Sequence, residues 1–116
     1  MKFLSVALAS ALLAGPLMAE TVNRYAVAHT RHRDANMVIV KIHPRFFDAS
    51  LNQQERWYTD IQSCVRSVKL AGTVVIVNDA NNRVRYYGPK SWHNFLSTID
   101  MKWVNARVNK EMTCHF

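Results

Sequence analysis

The sequence is short of the residues that loosen or interrupt a chain: among 116 residues there are three glycines and three prolines. That scarcity excludes a collagen-like repeat and a disordered low-complexity tail. Acidic side chains are also few, 8 against 15 Lys plus Arg, which leaves a formal charge of +7. Such a balance favours solubility and attraction to acidic surfaces, but it specifies neither fold nor reaction. No apolar run reaches the roughly 20 residues that a membrane span requires. Gly-x-Ser-x-Gly, His-Glu-x-x-His, a glycine-rich phosphate loop and a paired-carboxylate signature are all missing, so no motif marks an enzyme class and no cofactor is expected. A length of 116 residues with 49% hydrophobic side chains fits one small globular domain.

The chain opens on an export signal. Lys2 is a short positive end, Phe3 to Leu13 is apolar, and Gly15-Pro16 breaks that run before the small residue Ala19, the layout of a secretory signal peptide. Cleavage is expected after Ala19, making residues 1–19 the signal peptide and residues 20–116 the mature domain. The mature charge is then +6, since only Lys2 is removed from the charged set. The residue directly after the cut is Glu20 and not a cysteine, so a lipid anchor is not expected and the product is expected to be periplasmic or secreted, without a stable membrane span.

Cys64 and Cys114 are the only cysteines. Both lie in the exported part, where an oxidising compartment turns a pair into a disulfide. Nothing here resembles Cys-x-x-Cys, so the bond is read as a structural staple. Closing a loop of this size removes unfolded-chain entropy worth on the order of 4 kcal/mol.

The pattern of the mature chain is mixed. Thr21 to Thr30 reads as an edge strand, with a polar turn over Arg31 to Asn36, and Met37 to Ile42 reads as a strand ended by His43-Pro44. Ser50 and Gln53 have capping-box spacing, and Trp57, Tyr58, Ile61, Cys64, Val65 and Val68 recur at three and four, which predicts a helix closed by a left-handed Gly72. Cys64 then faces the core. Thr73 to Val77 is a buried central strand, Asn78 to Asn82 a turn, and Arg83 to Tyr87 the second arm of a hairpin. Gly88-Pro89 opens a second helix carrying Trp92, Phe95, Leu96, Ile99 and Trp103 on one stripe. From Val104 to Cys114 the spacing fits helix and strand alike, with a terminal strand favoured. The fold class expected is α+β: a small mainly antiparallel sheet with two helices packed on one face and one disulfide.

Chemistry is harder to place. His29 and His32 have chelate spacing, but Arg31 and Arg33 oppose a divalent cation and no metal is expected. Histidines together with Lys41 supply the residue types of a ribonuclease, but no motif sets their geometry, and no catalytic residue is assigned. Arg83, Arg85 and Tyr87 share one strand face, joined by Lys90, and form a candidate surface for an anionic partner; arginines guarding an exposed strand explain the same pattern. Gly88-Pro89-x-x-Trp92 reads as a recognition loop or as a turn with a core tryptophan. One of the adjacent Trp57 and Tyr58 is placed at a helix rim, where it can anchor a partner.

The signal, the helix bearing Cys64, the strand Thr73 to Val77, Gly88-Pro89-x-x-Trp92 and the terminal Met112-Thr113-Cys114 together resemble, in layout, small periplasmic proteins encoded in bacterial plasmid conjugation regions. The resemblance implies an accessory role in an envelope transfer apparatus, or a product that harms some hosts. The expectation is therefore a non-enzymatic binding or accessory protein whose partner is another envelope protein or an anionic surface, with nucleic acid disfavoured by export. The alternative is a small basic toxin or nuclease-like effector acting after export.

Overall fold

The computed structural model describes residues 22–80 and 83–116; the signal segment and the tip of the Ala80 to Arg83 connection lie outside the described residues. The elements run β1 (Val22–His32), β2 (Ala35–Lys41), α1 (Arg45–Asp48), α2 (Leu51–Ser67), β3 (Thr73–Ala80) and β4 (Arg83–Tyr87). A 3-10 turn (Lys90–Trp92), α3 (His93–Leu96), α4 (Met101–Arg107) and β5 (Lys110–His115) complete them. The class is α+β, with one five-stranded sheet in the order β4-β3-β2-β1-β5. All neighbours are antiparallel except β2 and β3, which run parallel with Ile39 opposite Val75. A parallel pair cannot be joined by a tight turn, and α2 is the crossover.

Each strand alternates its side chains between two cores. Val27, Val38, Val40, Val74, Ile76 and Met112 point to the α2 side with Phe46, Ile61, Cys64 and Val65. Ala28, Met37, Ile39, Val75 and Val77 point the other way, against Leu96 and Val104. The helices therefore cover both faces of the sheet, not one, because β2 over residues 37–40 and β3 over residues 74–77 are apolar at every position and a strand buried on both sides needs cover on both sides.

The N-terminal strand is also not at an edge. β1 lies between β2 and β5, and its ladder to β5 pairs Tyr25 with Met112. Asn109 extends that ladder with its side chain: Nδ2 donates to His29 O and Oδ1 accepts from His29 N, both at 2.9 Å. The first turn narrows to Arg33-Asp34 between the paired His32 and Ala35, with Arg33 at φ 56.

α2 begins as expected, with Ser50 Oγ accepting from Gln53 N at 3.2 Å. Only half of the capping box forms, since Gln53 Oε1 accepts from Arg56 Nη2 instead. The helix ends earlier than the glycine indicated. Lys69, at φ 63, takes the left-handed position, with Leu70 N donating to Val65 O and Lys69 N to Arg66 O, the bond pattern of a Schellman close. Gly72 is required for another reason: a Cβ there would lie 2.7 Å from Asn36 O, where the chain passes the start of β2.

The second expected helix is broken. Thr98 Oγ1 donates to Phe95 O at 2.6 Å and Ser97 Oγ to Asn94 O at 2.8 Å. Hydroxyls bonding back to the preceding turn compete with continuation of the helix. Asp100 then caps α4, accepting from Trp103 N at 2.8 Å. The ambiguous C-terminal stretch is resolved into both structures, helix to Arg107 and strand from Lys110. Asn78, Asp79 and Ala80, expected in a turn, continue β3. No helix among the described residues is long and apolar enough to cross a membrane.

Candidate functional site: an aromatic groove beside a basic strand

Cys64 and Cys114 form a disulfide on sulfurs that are buried in the core, tying α2 to edge strand β5. Two polar side chains tie the same helix to β3. Tyr58 Oη donates to Val74 O at 2.7 Å, and the Gln62 amide accepts from Val74 N while donating to Gly72 O. α2 is thus held at a set distance from both β3 and β5, and what lies at its N-terminal end is shaped by that restraint.

At that end β2 finishes, and the chain turns through His43-Pro44 into α1, which presents Phe46 and Phe47. His43 Nδ1 accepts from Arg45 N at 3.1 Å, which fixes the bend. Phe46 is buried and meets Phe47, Trp57 and Tyr87 at centroid distances of 5.0, 5.9 and 5.5 Å. Tyr58 packs on Tyr87 at 5.3 Å. Aromatic pairs at these separations add attraction beyond their buried area.

Outside this cluster is an open groove of about 450 Å³, bounded by Tyr25, Ile42, Phe46, Trp57 and Ile61 and rimmed by Asn23, His43, Arg45 and Phe116. It sits past the carboxyl end of β2, a parallel-sheet position where open sheets commonly take ligands. Among the described residues that line it none has a carboxylate side chain, whereas Arg45 is exposed on the rim. Burial pushes the phenol of Tyr25, a residue of the groove wall, above its ordinary pKa, so it stays neutral and can both donate and accept.

Of the residues singled out in the sequence, Arg83, Arg85 and Tyr87 do share the α2 side of β4, but they are not equally available. Tyr87 belongs to the aromatic cluster. Arg85 lies over the Phe47 ring at 4.9 Å and donates through Nη2 to Asn78 Oδ1 at 3.2 Å, while Asn78 Nδ2 donates to Ile42 O. Its Nε is buried without an acceptor among the described residues. Arg83 is exposed. Lys90 is exposed in the 3-10 turn, whose Trp92 packs into the opposite core. None of these four residues lines the groove; Arg85 meets Phe47, which in turn packs on Phe46 of the groove wall.

Trp57 lines the groove, and Tyr58 packs on Tyr87. The sequence reading missed Phe46, Arg45 and Phe116. The signal for the first two was present in His43-Pro44-Arg45-Phe46-Phe47, an aromatic pair directly after a strand end. His29 and His32 fall on opposite faces, as a separation of three on a strand demands. His29 Nε2 donates to Ala71 O at 2.8 Å and His32 stacks on Phe95 at 3.8 Å. Among the described residues no group of three His, Cys, Asp or Glu could hold a metal ion. Comparison of the chain with protein-family models, curated proteins and solved structures finds no match.

Proposed function

We propose that this chain is an exported binding or accessory protein of the bacterial envelope, released after Ala19 and working through the groove between α1, α2 and the ends of β1 and β5. The observation that carries this reading is the disulfide between Cys64 and Cys114, whose stability belongs to an oxidising compartment. The N-terminal signal supports export, and the similarity in layout to conjugation-region periplasmic proteins makes a transfer apparatus the first place to seek the partner.

The test is expression of the full chain and of a form lacking residues 2–19 in a bacterial host, followed by fractionation, mass measurement and thiol labelling. The expected result is a periplasmic product beginning at Glu20 with no reactive thiol, formed only from the full chain. Full-length protein kept in the cytoplasm with two reactive thiols would overturn the reading. Harm to the host from the leaderless form alone would instead favour a basic effector acting inside the cell.

A further inference from the structure

We infer that the groove takes one extended, acidic segment of a partner protein, with a single aromatic side chain seated among Tyr25, Phe46 and Trp57. This rests on the proposed role as a binding protein and adds the chemistry of what is bound.

Three features of the groove lead there. Its volume, about 450 Å³, matches one large side chain with its adjoining main chain rather than a whole helix. Its walls are aromatic and aliphatic, and a ring on a partner gains both buried area and edge-to-face contact against Trp57 and Phe46. Its rim holds an exposed guanidinium, Arg45, and an imidazole, His43, with no carboxylate side chain among its described lining residues. The charge of +6 left after removal of Lys2 with residues 1–19 steers an acidic segment toward that rim. Asn23 adds an amide, whose paired donor and acceptor match a peptide unit of an extended main chain.

The larger cleft on the opposite face is less selective. It measures about 570 Å³ and sets Arg33 beside Asp34, so its charges offset each other and indicate no sign of partner.

Calorimetry on the oxidised, exported protein tests this with three acetylated, amidated pentapeptides: Glu-Asp-Phe-Glu-Asp, Glu-Asp-Ala-Glu-Asp and Lys-Lys-Phe-Lys-Lys. The first is expected to bind with Kd on the order of 100 μM, and the other two at least about tenfold more weakly. Trp57→Ala is expected to weaken the first peptide about tenfold or more. Arg45→Glu, a change on an exposed side chain, should reverse the preference toward the lysine peptide and still report on the site if Trp57→Ala does not fold. Arg33→Ala at the other cleft should leave binding unchanged.

No binding of the acidic peptide up to about 1 mM would overturn the inference, as would equal affinity in folded Trp57→Ala. Binding to phosphatidylglycerol vesicles with none to the peptides would assign the face to a lipid surface. Each of these failures leaves the fractionation and thiol results untouched, so it is separable from a failure of the export reading.

Discussion

The two faces of the sheet solve the same packing problem with different means. On one side the long helix Leu51–Ser67, with the short α1 beside it, is closed at both ends and bound to its neighbours by a disulfide and by polar bonds from Tyr58 and Gln62. On the other, a 3-10 turn and two short helices are held by the burial of Leu96 and Val104, with Lys41 Nζ donating to Asn105 at 2.6 Å near the rim. Both segments show the same helical spacing of apolar residues, yet only the first becomes a continuous helix. A stripe says which residues will be buried; local hydroxyls, caps and covalent ties decide how the backbone gets them there. The groove lies on the restrained face, where rigid walls would lower the ordering cost of the binding proposed for it.

The sharpest way to break this contrast is to remove the covalent tie. Replacing both Cys64 and Cys114 by Ala should cost about 4 kcal/mol, given the 50-residue separation and the chain-entropy model. Urea midpoints of wild type and the double variant measure it, and a cost under about 1 kcal/mol would remove the staple from the account. Next in size, Leu96→Ala on the opposite face should cost about 3 kcal/mol through a cavity. The same loss is expected with and without the disulfide, because separate sites add to within about 0.5 kcal/mol. Coupling larger than that would mean that the faces are not independent.

Tyr58→Phe should cost about 1 kcal/mol by deleting the bond to Val74 O. Burial raises the Tyr58 pKa above the ordinary 10.0, with Tyr87 a smaller cause. The folded protein therefore holds the phenol proton more tightly than the unfolded chain. That contribution is complete below about pH 10 and is lost as pH rises through the folded-state pKa. Thermal melts above pH 10 should fall less steeply in the Phe variant. The smallest effect has the opposite sign: Lys69→Gly should stabilise α2 by about 0.5 to 1 kcal/mol, because the left-handed position disfavours a Cβ. Unchanged melting would show that the Schellman close is already relaxed.

Much of the frame was legible in the residues. Ser50 marked the start of the long helix to the residue, Thr73 to Val77 marked a buried strand, and the lone cysteine pair marked its own bond. These are local or compositional signals, and each depends on a few neighbouring positions. The end of α2 was misplaced because one glycine was asked to explain a turn that Lys69 makes, while Gly72 answers to Asn36 on another strand. The groove was only half visible: Trp57 stood out, but Asn23, the adjacent Arg45 and Phe46, and Phe116 belong to three separate stretches of chain. The unbroken apolar run Met37 to Val40 is itself a signal of cover on both faces of the sheet.

By itself the sequence determined the secondary elements with strong periodicity, the α+β class and the cysteine pair, because backbone propensity, side-chain period and composition act over short spans. Only the tertiary structure decided that β1 is interior, that β2 and β3 run parallel, that the helices divide between the two faces, and that Arg85 and Tyr87 are spent on packing. Those outcomes depend on which surfaces exclude water together, and that choice is made between residues far apart in the chain, where no local pattern records it.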